Sequence, residues 1–80
     1  MQITIRLLAS YRRYLPAGRD ARSGYPREVP PGTQVGDVLA DLPIPPSDVY
    51  TLLVNGRHAQ PDQVLQEDDV LAVFPAIGGG

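Results

Sequence analysis

The chain has 80 residues, with seven arginines, no lysine, nine acidic residues and a formal net charge of −2. That length allows one domain around one modest core. The absence of cysteine excludes a disulfide framework and a thiolate metal site, and the single histidine, His58, leaves no second imidazole for zinc and no catalytic triad. No signal-peptide pattern precedes the first strand and no apolar run is long enough to span a bilayer, so a cytoplasmic location is expected. The net charge hides an asymmetry: residues 1–32 carry +4 and residues 33–80 carry −6. An acidic half that includes the chain's end should be steered toward a basic partner.

Residues 1–8 alternate, with Met1, Ile3, Ile5 and Leu7 on one side and Gln2, Thr4, Arg6 and Leu8 on the other. This period of two predicts a half-buried strand. From Ala9 to Gly24 the pattern is lost. Ser10 is placed to cap a short helical turn through Tyr11–Leu15, which Pro16 would end. Arg12, Arg13, Arg19 and Arg22 with Tyr11 and Tyr14 could be read as a nucleic-acid patch, but the overall acidity and the missing lysines argue against one. A solvated loop is the expectation, ahead of docking to a protein. Tyr25–Val29 is a weak second strand, and Pro26 assigns it to a sheet edge.

Thr33 is a candidate N-cap for a helix whose stripe is Val35, Val38, Leu39 and Leu42. Asp37 would sit at the positive end of its dipole, and Pro43, Pro45 and Pro46 stop it. Val49–Val54 has strand length and composition, and Asn55-Gly56 is a two-residue hairpin signal. A short return strand starts at Arg57, and His58 in this turn context reads as solvated. Val64 and Leu65 should tuck inward, Glu67-Asp68-Asp69 should form a polar turn, and Val70–Phe74 should be a central strand, apolar on both sides. The order β-β-α-β-β-β predicts an α+β domain with the helix on one sheet face and the first and last strands side by side in the middle.

The chain then ends on Phe74-Pro75-Ala76-Ile77-Gly78-Gly79-Gly80. Glycine packs nothing at a chain end, but its backbone is thin enough to enter a narrow channel and present a bare α-carboxylate. Pro75 cannot donate to a ladder and should close the strand. The division expected is a domain over 1–75 and a flexible glycine tail over 76–80, whose residues beyond Pro75 reach at most roughly 17 Å.

Three segments carry a family resemblance: Asp69–Gly80, which is similar to the Asp-x-Val-Ala-x-Phe-Pro-Pro-Val-x-Gly-Gly ending of the molybdopterin-synthase small subunit; Val54-Asn55-Gly56; and Pro31-Gly32-Thr33 with Val35–Leu39. Together they resemble the ubiquitin-like β-grasp sulfur carriers of the MoaD/ThiS family, over Met1–Leu8, Val29–Leu42 and Leu52–Gly80. Phe74-Pro75 favours the molybdopterin branch. Three positions depart from the pattern: Ala76 replaces a second proline, Gly78 precedes the diglycine, and Asp68 stands where glycine is common.

The resemblance implies a mixed sheet with one helix and a free tail, and a carrier or small subunit with no catalytic groups of its own. It implies that an adenylating, MoeB/ThiF-like enzyme uses ATP to activate Gly80, next to Gly79, and that sulfur then forms a thiocarboxylate there. With no cysteine, a terminal thiocarboxylate is the one way this chain could carry sulfur. The partners implied are that enzyme and the molybdopterin synthase large subunit, with no nucleic acid, no membrane and no cofactor bound by the chain itself. Leu71 and Val73 should face the helix, whereas Phe74, with Leu53 and Ala72, should face outward. Phe74, Pro75, Ile77, Gly78 and Leu53 are the expected partner contacts. Alternatives are a ubiquitin-like modifier conjugated through Gly80, a carrier for thiamine-type thiazole synthesis or for a tungsten-pterin enzyme, and an interaction module with an inert tail.

Overall fold

The computed structural model of the chain describes residues 1–20, 22–45, 47–48 and 50–76. Its strands are β1 (Gln2–Leu7), β2 (Tyr25–Glu28), β3 (Tyr50–Val54), β4 (Arg57–His58) and β5 (Val70–Pro75). A 3-10 helix, Ala9–Tyr14, follows β1, and one α-helix, α1 (Val35–Ala40), lies between β2 and β3. The sheet order is β2-β1-β5-β3-β4. β1 and β5 are parallel neighbours, and every other pairing is antiparallel. The first and last strands therefore sit together inside the sheet, as the apolar patterning predicts, and the proline-bearing β2 is an edge with Pro26 opposite Thr4.

The core forms on one side of the sheet. Ile3, Ile5, Leu7, Leu71 and Val73 are fully enclosed and join Leu52 and Val54 from β3 and Val35 and Val38 from α1. Leu42 and Ile44 complete the cluster beyond the helix. Leu39, the fourth member of the helical stripe, packs at its margin.

Local geometry corrects the sequence reading at three places. Gln34, not Thr33, caps α1: the Asp37 carboxylate accepts the Gln34 N–H at 2.9 Å, while the Thr33 hydroxyl donates to the Pro30 carbonyl at 2.7 Å. Ser10 caps nothing. The chain turns at Ala9 (φ 53°), so the 3-10 helix starts at once with Leu8 in the cap position, and it is done by Leu15. Leu65 is buried as expected, but Val64 is exposed, because an isolated bridge with Gln34 fixes Val64 in extended backbone and alternation sends the two side chains opposite ways.

Asn55 (φ 52°) and Gly56 (φ 83°) both adopt the left-handed conformation that a tight β3–β4 hairpin requires. Asp68 has φ 68°, which accounts for the departure noted above: the position needs a left-handed residue, and aspartate is one of the few non-glycines that takes it readily. Gly24 (φ 75°) is required for a second reason, since a Cβ there would lie 2.6 Å from the Ile5 carbonyl oxygen.

Candidate functional site

Residues paired in register point to the same side of a sheet. With Leu71 and Val73 turned into the core, Val70, Ala72 and Phe74 point to the opposite, open face. Their neighbours there are Thr4 and Arg6 from β1 and Thr51 and Leu53 from β3, with His58 of β4 beside Leu53. Phe74 and Leu53 are half-buried. Ala72 is buried despite facing outward, being a short side chain between the longer Arg6 and Leu53. Leu8, whose N–H donates to the Val73 carbonyl at 3.0 Å, continues the β1 register beside Phe74. The centre of the open face is thus an apolar strip that ends where β5 ends. Pro75 is the last residue of β5, half-buried and paired with Tyr50, so the strand runs one residue further than the sequence suggests. Ala76 follows, exposed. Ile77, Gly78, Gly79 and Gly80 lie outside the described residues.

β5 is fixed at both ends. At its start, the buried Asp69 carboxylate accepts the Asn55 side-chain amide and the Gln66 N–H, each at 2.8 Å, and the Asn55 side-chain oxygen accepts the Val70 N–H at 2.9 Å. The hairpin turn is thereby tied to the first residue of β5. Sequence reasoning placed Asp69 in a polar turn and missed this role. Asp69→Ala leaves the Asn55 amide and the Gln66 N–H without their acceptor, at an expected cost of about 2–3 kcal/mol. Urea denaturation checks this, and a change below about 0.5 kcal/mol would show that water replaces the carboxylate.

At the other end, the 3-10 helix packs against β5. Its Tyr11 is 1% exposed, belongs to the core, and donates its hydroxyl to the Asp48 carboxylate at 3.0 Å. Loss of hydration and the hydrogen bond to anionic Asp48 both favour the neutral phenol, and its pKa is pushed up to about 12 from an ordinary 10.0. Because the folded value lies above the unfolded one, this contribution to stability is complete below pH 10 and is lost as the pH rises toward 12. Phenolate absorbance should show a tyrosine titrating at about pH 12, and Tyr11→Phe should remove that step. Burial also raises Tyr25, with the Arg27 charge opposing it.

Among the described residues no cluster of three His, Cys, Asp or Glu side chains could hold a metal ion, and no helix is long and apolar enough to cross a membrane. The ThiS family model matches residues 19–80, more than half of the chain and its glycine end included. The chain belongs to the ThiS family. ThiS-family proteins are carriers without catalysis of their own, served by an activating enzyme. Solved structures agree on the fold. The crystal structure of SAMP1 from Haloferax volcanii aligns with a TM-score of 0.71 at 22% identity, covering 100% of both chains. A second crystal structure, of the H. volcanii small archaeal modifier protein 1, gives 0.70 at 21% identity over 95% of this chain and 98% of that one. The solution structure of the Haloferax volcanii HVO 2177 protein gives 0.72 at 26% identity, over 100% of this chain and 87% of that one. Among curated proteins none matches the chain in sequence. The β-grasp architecture expected from the sequence is the one observed.

Proposed function

We propose that this ThiS-family protein is a sulfur carrier activated at Gly80 for molybdopterin or tungsten-pterin biosynthesis. The observation that carries the reading is the family match, which runs through the diglycine to Gly80. In the first step a carboxylate oxygen of Gly80 attacks the α-phosphorus of ATP on the adenylating enzyme, and pyrophosphate leaves. A donor supplying sulfur at the sulfide level then attacks the acyl carbon, AMP leaves, and a thiocarboxylate remains. The thiocarboxylate sulfur then attacks the pterin precursor on the synthase large subunit, and water cleaves the acyl–sulfur bond, leaving the sulfur on the pterin and regenerating the carboxylate. The activation is needed because a carboxylate is itself a poor acyl donor. Phe74, Leu53 and Pro75 supply contact area beside the tail, and Ile77, Gly78 and Gly79 the thread into the partner's channel. The Phe74-Pro75 pair is what favours a pterin pathway over thiazole synthesis.

A second reading is a protein modifier joined through Gly80 to lysines elsewhere. It is favoured by the likeness to the small archaeal modifier protein 1 structure. Self-joined chains through side-chain amines are excluded, because the sequence has no lysine. Mass spectrometry of native cells separates the two. Replacement of one oxygen by sulfur at Gly80 supports the carrier, whereas a Gly-Gly remnant on lysines of other proteins supports the modifier.

A further inference from the structure

The 3-10 helix has no acidic residue in its first turn and two arginines, Arg12 and Arg13, in its last. Both are exposed, and both are positioned by neutral groups. Arg12 Nε donates to the Ala9 carbonyl at 3.1 Å. Arg13 lies over the Tyr14 ring, 5.0 Å from its centroid, and donates to the Tyr14 hydroxyl at 3.1 Å. Neither guanidinium has a carboxylate within ion-pair distance among the described residues, where the one paired arginine is Arg27, with Asp41. Two positive charges are thus held in place with their charge unspent. Asp48, the acidic group nearest this helix in the hydrogen-bond network, is half-buried and engaged by Tyr11.

The topology puts this pair at the end of the sheet where β5 stops. β1 and β5 run parallel with Leu7 opposite Val73, so the helix that follows Leu8 lies beside the last residues of β5, and Asp48 is two residues before Tyr50, the partner of Pro75. Sequence charge alone suggested an acidic tail end seeking a basic partner. The fold reverses that locally, because β1 delivers the 3-10 helix with its two arginines to the exit of β5. They also lie outside residues 19–80, so the family match owes nothing to them.

We infer that Arg12 and Arg13 dock against an acidic face of the adenylating enzyme, beside the mouth through which it receives the tail. The inference rests on the carrier reading. Complementary charge at the rim of an interface acts chiefly on the association rate and on orientation, and it is screened by salt. Guanidinium suits the place, since its planar donors bind carboxylates bidentately.

The test is ATP–pyrophosphate exchange by the adenylating enzyme from the same organism, with the full chain as variable substrate. R12E/R13E should raise KM roughly 10- to 100-fold with kcat unchanged, and R12Q/R13Q should fall between. Wild-type KM should rise with ionic strength and the reversed variant's should not. R57E, at the opposite end of the sheet, should match wild type, and thermal melts should show all variants folded. If R12E/R13E stays within twofold of wild type, improves on it, or is no worse than R57E, the docking role is overturned while the carrier reading stands. Unchanged kinetics with charge-dependent binding of a single-stranded oligonucleotide would overturn it in favour of nucleic acid. No exchange with the wild-type chain would remove both the carrier reading and this inference.

Discussion

Deleting Gly79 and Gly80 is expected to lower ATP–pyrophosphate exchange by at least about a thousandfold while leaving the melting temperature unchanged. Two extended residues span roughly 7 Å, and a misplacement of about 1 Å already costs on the order of a hundredfold when reacting atoms must be aligned. The shortened chain would present Gly78 to a site shaped for an acid two residues further along. Among the described residues the last ladder position of β5 is Pro75 opposite Tyr50, upstream of the deleted pair, so the pairing of the sheet should survive the deletion. Exchange at the wild-type rate with the truncated chain would end the carrier proposal and leave the family membership and the fold.

Phe74→Ala should raise KM for the adenylating enzyme about 10- to 100-fold, with kcat within twofold. A large aromatic side chain on an open sheet face, beside the exit of the tail, is the kind of anchor that dominates an interface, and its truncation typically costs about 2 kcal/mol or more. Its own fold depends on it less: Phe74 is half-buried, with Thr51 opposite on β3 and Leu8 continuing β1 on the other side, so the loss of stability should stay near 1 kcal/mol. Phe74→Leu should recover part of the binding. An unchanged KM for Phe74→Ala at full folding would remove this residue from the docking surface and shift attention to Leu53 and to the helix arginines.

Much of the architecture is legible in the residues because its signals are local and agree with one another. The alternation of Ile3, Ile5 and Leu7 gives β1 its buried side, Pro26 marks an edge, and Asn55-Gly56 forms the hairpin that its conformational preferences demand. Val70–Phe74 is apolar on both sides because it is flanked by strands and faces core on one side and the apolar strip on the other. What sequence reasoning missed depends on distant partners. Tyr11 sits among arginines and reads as solvated, yet the turn at Ala9 drives it into the core, where Asp48 satisfies its hydroxyl. The spacing of Tyr11, Tyr14 and Leu15 at i, i+3 and i+4 is the signal that could have revealed it. Asp69 looks like one acid in an acidic turn, and it becomes structural because Asn55 and Gln66 converge on it. Thr33 is the cap that the sequence points to, but its hydroxyl is committed to the Pro30 carbonyl and the helix starts one residue later, with Gln34 in the cap position. Of the candidate site, Phe74, Pro75 and Leu53 are placed by the sheet, and Ile77–Gly80 lie beyond the described residues.

The position of β5 has a mechanical consequence. On the carrier reading, a partner that draws on the chain's end would pull on this strand, which is bonded to β1 on one side and β3 on the other. The load falls on both ladders in shear at once, many bonds sharing the tension, rather than peeling an edge bond by bond. On that reading the globule would act as a stopper on a thread, hauled against the rim of the channel and held there without unravelling, and coming away whole when the thread is let go.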